Sequence, residues 1–114
     1  MEQPTPDVTQ DDVVRILRRD FAPGEIPQAE ALLRDSDPAL SPRVALAILK
    51  LSDGDLDAVR GNVETASRDW RDVIAYAEYP AYMSTVPGTD PLSIDQRNQV
   101  IRSDWEQYRS WLDR

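Results

Sequence analysis

The side chains of this chain that could do acid–base chemistry are almost all carboxylates, because the sequence has 21 Asp and Glu residues but no His and no Cys. Without His there is no side chain that titrates near neutral pH, and no Ser-His, Cys-His or His-metal arrangement can form. Paired carboxylates can still act as a general acid and a general base. With so many acidic residues, however, close pairs arise by chance, and the sequence alone does not single out a catalytic pair.

Three acidic residues alternate around one glycine: Asp53, Asp55 and Asp57 flank Gly54. A calcium-binding EF-hand loop with Gly54 at its sixth position would begin at Leu49, inside an apolar run, so the calcium pattern fails. Helix capping by surface acids explains the spacing better. The glycines of the chain are isolated from one another, which excludes a glycine-rich phosphate loop. We therefore expect no metal and no cofactor.

The charge balance restricts the class of partner. The formal net charge is −8 and the sequence pI is about 4.4. Nucleic acids and anionic membranes both attract basic surfaces, so neither is expected as a direct partner, whereas a basic protein is permitted. No apolar run approaches the roughly 20 residues that span a bilayer. The acidic, Pro-containing start of the chain lacks the apolar core of a secretory signal, and we expect a cytoplasmic protein.

The elements that must position any site are predicted to be helices. Ser41 followed by Pro42 is a strong helix start, and the run 44–51 is apolar except for Lys50. Its Leu and Ala content favours a helix over a buried strand, and Gly54 suits the left-handed position that ends a helix. We predict an all-α fold: one compact bundle of about six helices with a central helix at about 42–52.

The remaining helices follow from start signals and apolar spacing. They are expected to begin after Thr9, at Pro27, near Asp55, near Ser67 and after Ser93. The last two are predicted to bury these apolar stripes: Trp70, Val73, Ile74 and Ala77, and then Ile94, Ile101, Trp105, Tyr108 and Leu112. Residues 80–92 form the longest predicted loop. Residues 1–8 are predicted to be a flexible tail, and residues 9–114 a single helical domain.

Two stretches carry a denser pattern, namely RVALAILKLSDGDL at residues 43–56 and DWRDVIAYAEYP at residues 69–80. There the chain resembles a group of small bacterial proteins of uncharacterised function. Their common pattern is roughly R-V-x-L-A-I-L-K-L-[SA]-x-G-D-L, followed by D-Y-R-D-V-L-A-[WY]-A-E-Y-P. Trp70 stands where the pattern usually has Tyr. The resemblance implies a helical fold and a bacterial source, and it implies no catalytic residue.

A candidate binding face lies on the predicted helix that begins near Ser67. Arg68, Asp72, Tyr76 and Tyr79 are spaced by four, four and three residues, which places them on one side of a helix, and Tyr82 follows just beyond Pro80. Tyr and Arg are enriched at protein interfaces. These five residues are the predicted partner-binding residues. The alternative is that the face is half-buried under the last helix.

Three classes of function remain open. The interpretation that we favour is a non-enzymatic, acidic helical protein that binds another protein, in the manner of an inhibitor or an immunity protein for a basic partner. The second is a small carboxylate-dependent enzyme with a pocket near residues 80–92. The third is a purely structural dimeric module. The sequence does not define the oligomeric state.

Overall fold

The structure is a computed structural model that describes residues 6–36, 40–84 and 93–114. Within these ranges every regular element is a helix. In chain order the helices are α1 (Gln10–Asp20), α2 (Ile26–Arg34), α3 (Pro42–Ser52), α4 (Leu56–Glu78), α5 (Pro80–Ser84) and α6 (Ile94–Asp113). The prediction of an all-α bundle of about six helices is confirmed.

Helix α3 lies at the centre of the bundle, as predicted. Its start is fixed by Ser41, whose hydroxyl oxygen accepts a hydrogen bond from the Val44 amide at 3.3 Å. All six residues from Val44 to Leu49 are buried, and α3 packs along α4 on one side and against α1 on another. A helix that is apolar on all sides needs such a position, because no face of it is suited to water.

The joint between α3 and α4 uses two left-handed residues. Asp53 has φ 49° and Gly54 has φ 78°, so the sequence-based prediction for Gly54 is confirmed, and Asp53 shares that conformation. A Cβ atom on Gly54 would lie 2.6 Å from the carbonyl oxygen of Asp20, at the end of α1. The Asp55 carboxylate then accepts a hydrogen bond from the Asp57 amide at 2.9 Å and caps α4. The glycine therefore serves both the turn and the close approach of α1.

Helix α4 is interrupted at Asp69, which has φ −155° and ψ 99°. The Asp69 carboxylate accepts a hydrogen bond from the Arg71 amide at 3.1 Å, so it caps the second part of the helix. The predicted break between two helices is thus present, but at Asp69 rather than near Ser67. Trp70 follows this cap directly and is 50% exposed, so its predicted place in the core is wrong.

The last helix confirms most of its predicted stripe. Ser93 and Gln96 form the predicted capping box, and Ile101, Tyr108 and Leu112 are buried. Trp105 is only half-buried, and Ile94 is 77% exposed, so the prediction that Ile94 belongs to the core is wrong. Ile94 lies in the first turn of α6, before the helix reaches the core, and Ile101 is the first of its residues to be buried.

Part of the predicted loop at 80–92 is helical. The short helix α5 is held by Asp104 of α6, whose carboxylate accepts hydrogen bonds from the amides of Ala81 and Tyr82, both at 2.9 Å. The side chain of Asp104 is buried, and its charge lies at the first turn of α5, where helix amides carry partial positive charge. The remainder of the predicted loop, residues 85–92, lies outside the described residues.

The end of α6 is bound by two arginines of α1. Arg15 donates to the carbonyl oxygen of Leu112 at 2.8 Å, and Arg19 donates to that of Trp111 at 2.6 Å. The Arg19 guanidinium also lies 5.2 Å from the centre of the Trp111 ring, which packs against the core. These cations satisfy carbonyl groups that the last turn of a helix leaves without partners.

The predicted division into a tail, residues 1–8, and a helical domain, residues 9–114, stays a prediction. Residues 1–5 lie outside the described part of the chain, whereas Pro6 is buried and Val8 packs against the core. Among the helices in the described ranges, none combines the length and the apolar character needed to cross a lipid bilayer.

Candidate functional site

The kink divides the five predicted partner-binding residues. Arg68 precedes Asp69, is exposed and pairs with Glu64 at 2.6 Å. Asp72 and Tyr76 follow the kink and are exposed, Tyr76 by 57%. Tyr79 ends α4 and Tyr82 lies in α5, and both are half-buried. Because Asp69 is not helical, the spacing from Arg68 to Asp72 does not by itself place these two residues on one face.

Trp70 stands between two clefts and lines both of them. The first cleft, of about 360 Å³, lies between α3 and α4. It is mainly apolar and is lined by Leu40, Ser41, Arg43, Val44, Ala66, Trp70 and Ile74. Trp70 directly follows the break at Asp69 and is half-exposed, whereas Val73 and Ile74, one turn further along the same face, are buried.

The second cleft, of about 320 Å³, lies on the other side of Trp70, where α4 meets α5. It is lined by Arg43, Trp70, Arg71, Ile74, Ala75, Tyr79, Tyr82 and Met83. Two predicted partner-binding residues, Tyr79 and Tyr82, therefore lie in it, and Arg68, Asp72 and Tyr76 line neither cleft. Because the clefts share Arg43, Trp70 and Ile74, we treat them as one region and call it the Trp70 surface.

An ion pair lies beneath the Trp70 surface. Arg43 of α3 donates from Nε and Nη2 to the two carboxylate oxygens of Glu78 of α4, at 2.9 and 2.8 Å. The Glu78 side chain is only 3% exposed, whereas that of Arg43 is 30% exposed. The hydrogen bonds from Arg43 to Glu78 raise the pKa of the guanidinium, against the lowering effect of its burial. The bidentate geometry fixes α3 against α4 beside the two clefts that Arg43 and Trp70 both line.

The Arg43–Glu78 pair also affects the pKa values of two tyrosine hydroxyls. Burial raises the pKa of Tyr79 above its ordinary value, and the neighbouring Glu78 carboxylate raises it further. Burial raises the pKa of Tyr108 far above its ordinary value, again with Glu78 as the next cause. The Tyr108 hydroxyl has no hydrogen-bond partner within the described residues. Both hydroxyls therefore stay protonated at neutral pH, and neither is poised to act as a base.

Among the described residues two carboxylates are buried, and both hold helices together. Glu78 is bound to Arg43, and Asp104 is bound to the amides at the start of α5. Burial lowers the pKa of Lys50, and this effect is larger than the opposing effect of the Asp104 charge, which raises the pKa. Glu78 lies next to the predicted partner-binding residue Tyr79 in the chain but is buried, so its carboxylate does not belong to the exposed face. Across the described ranges, no three acidic side chains are grouped so that they could hold a metal ion.

The sequence held one local signal for the Trp70 surface that the spacing argument missed. Asp69 is a good N-cap residue, and a cap at Asp69 makes Trp70 the first helical residue, at the end of the apolar stripe that continues with Val73 and Ile74. The contact between Arg43 and Glu78 has no such signal, since 35 residues separate the two in the chain. Only the folded arrangement of α3 and α4 brings them together.

Comparisons with known proteins leave the chain without an assigned family. No family model matches it, and neither the curated proteins nor the solved structures contain a significant match. The resemblance to small bacterial proteins therefore stays a prediction, and any function has to be argued from the Trp70 surface itself.

Proposed function

We propose that this protein acts by binding another protein through the Trp70 surface. The observation that carries the proposal is a half-exposed tryptophan that stands between two mainly apolar clefts. Single exposed apolar side chains are common on protein surfaces and need no explanation. An exposed Trp beside clefts that can receive apolar side chains is the arrangement found at the energetic centres of interfaces.

The energy available at this position is substantial. A tryptophan side chain can bury about 200 Å², and half of that area remains accessible here, so a partner could cover about 100 Å² of Trp70. At about 25 cal/mol per Å², this single contact is worth about 2.5 kcal/mol. Tyr79, Tyr82 and Met83 extend the contact area with side chains that are enriched at interfaces.

The carboxylates support binding over catalysis. An acidic side chain that works as a general acid or base needs access to a substrate proton. In the described part of the chain the carboxylates that are buried away from water are those of Glu78 and Asp104, and both hold helices together instead. The net charge of −8 favours a basic partner at long range, in keeping with an inhibitor-like or immunity-like role.

The test is site-specific cross-linking. A photoreactive amino acid with a bulky aromatic side chain, which retains most of the apolar contact area of tryptophan, is placed at position 70 in one variant and at position 76 in another. Each variant is irradiated in a lysate of the source organism. Tyr76 is the matched control, because it lies in the same helix and is similarly exposed. We expect a discrete protein adduct from position 70 only, competed by added wild-type protein but not by Trp70→Ala.

Two results would contradict the proposal. Adducts from position 76 alone would show that the partner contacts the Tyr76 side of α4 and not the Trp70 surface. Equal competition by wild-type protein and by Trp70→Ala would show that the tryptophan contributes nothing to binding. The two photoreactive variants and Trp70→Ala must first show the circular dichroism spectrum of the wild type, so that unfolding does not account for a missing adduct or for failure to compete.

A further inference from the structure

The second cleft carries a local charge opposite to that of the whole protein. Among its described lining residues the charged ones are Arg43 and Arg71, and none is acidic. At physiological ionic strength the Debye length is about 8 Å, so charges elsewhere on the surface are largely screened from a group seated in the cleft. The charge that a bound segment meets is therefore set by these two arginines and by the acidic side chains near them: Glu78 beside Arg43, and Asp69 and Asp72 beside Arg71.

The Arg43–Glu78 pair presents its positive end outward. Glu78 is 3% exposed and lies inside the bundle, while the Arg43 side chain is 30% exposed and lines both clefts. A ligand group at the surface is thus closer to the guanidinium than to the carboxylate. Because Coulomb energy falls with distance, the pair acts on such a group as a partial positive charge rather than as a neutral unit.

Arg71 has the same polarity. Its side chain is 75% exposed, whereas that of its partner Asp69 is 35% exposed. Asp69 also accepts the Arg71 backbone amide at the start of the second part of α4. The negative charge of Asp69 is therefore partly offset by the positive end of that helical segment, and the Arg71 guanidinium is the more exposed charge of the pair.

From this arrangement we infer that the part of the partner that enters the second cleft is an acidic peptide segment, with a bulky apolar side chain flanked by Asp or Glu. This inference rests on the proposed function. The apolar side chain contacts Trp70, Ile74 and Met83, and the flanking carboxylates lie beside Arg43 and Arg71. Two arginines on one cleft favour two acidic side chains over the single carboxylate of a chain end.

A peptide-display selection tests the inference. A random library, fused at its C-termini so that no free C-terminal carboxylate is offered, is selected on wild-type protein and counter-selected on Trp70→Ala. We expect the enriched peptides to carry at least two acidic residues next to a bulky apolar one. Their affinity should fall about two- to fivefold in Arg71→Gln, the effect of losing one exposed ion pair. Arg60→Gln is the control, because Arg60 is similarly exposed and pairs with Asp57 away from both clefts.

The outcomes separate this inference from the proposed function. Peptides that depend on Trp70 but are basic or uncharged would overturn the inference and leave protein binding at the Trp70 surface intact. A complete lack of Trp70-dependent peptides would count against both. Sedimentation of the protein alone completes the test, since a dimer that dissociates in Trp70→Ala would identify a second copy as the occupant and overturn the acidic segment.

Discussion

Replacing Arg43 should reveal how strongly the buried Glu78 carboxylate depends on it. Arg43→Met keeps much of the aliphatic stem that packs between α3 and α4 but removes both hydrogen bonds to Glu78. Removing one partner of a buried pair leaves an uncompensated charge and costs about 3–5 kcal/mol. Because the Arg43 side chain is 30% exposed, water can approach one edge of the carboxylate in the variant. We therefore expect the lower limit, about 3 kcal/mol.

The assay is equilibrium unfolding in urea, followed by circular dichroism at 222 nm. With a urea dependence of about 1.5 kcal/mol per molar, the midpoint should fall by about 2 M. Arg60→Met is the matched control, since it breaks the exposed pair with Asp57 and should cost less than about 1 kcal/mol. The comparison separates the effect of burial from the effect of losing an arginine.

A double variant decides the cause. Arg43→Met with Glu78→Leu removes the buried charge together with its partner, and its stability should return to within about 1 kcal/mol of the wild type. If Arg43→Met is no less stable than the Arg60→Met control, the reasoning about the buried pair is refuted. If the double variant is as unstable as Arg43→Met, the loss comes from packing and not from an unpaired charge.

Three further predictions concern stability. Gly54→Ala should destabilise the protein by more than about 1 kcal/mol, because φ is 78° and the new Cβ would lie 2.6 Å from the carbonyl oxygen of Asp20. Gly61→Ala is the contrasting case: the position has open space around it, and the substitution should stabilise the protein by about 0.5–1 kcal/mol. Tyr108→Phe removes a buried hydroxyl without a partner and should raise the free energy of unfolding by about 1 kcal/mol. Because folding raises the pKa of Tyr108, the stability of the wild type should be intact below about pH 10 and should fall above it. Urea melts on either side of that pH should show a smaller loss of stability for Tyr108→Phe. Leu49→Ala, at a fully buried position, should cost about 2–5 kcal/mol in the same melts, and an unchanged midpoint would contradict the central role of α3.

The parts of the fold that the sequence predicted are those set by near neighbours. The start of α3 at Ser41, the left-handed Gly54 and the capping box at Ser93 each depend on hydrogen bonds or backbone angles within about four residues. The same holds for the buried run of α3, where composition alone requires a central position. Such features are readable because no distant residue is needed to create them.

The parts that were missed depend on contacts between distant residues or on one ambiguous cap. The helix at 80–84 forms where the carboxylate of Asp104, more than twenty residues away, accepts hydrogen bonds from the amides of Ala81 and Tyr82. The pairing of Glu78 with Arg43 joins two residues that are 35 positions apart in the chain, and no local pattern indicates it. Trp70 was assigned to the core because it shares a helical face with Val73, Ile74 and Ala77, but that face is buried only from Val73 onward, and Trp70, next to the break at Asp69, is half-exposed.

The interruption of α4 has a consequence for how this protein can vary. In an unbroken α-helix each residue turns the chain by about 100°, so one inserted residue redirects every side chain that follows. The cap at Asp69 restarts the helix with its own hydrogen bond to Arg71, independent of the turns before it. Insertions or deletions between residues 61 and 68 would therefore alter where the first part of α4 ends without rotating Trp70 relative to its own cap. The orientation of Trp70 within the second part of α4 therefore depends on the cap formed by Asp69 and Arg71, and not on the thirteen residues that precede Asp69 in the helix.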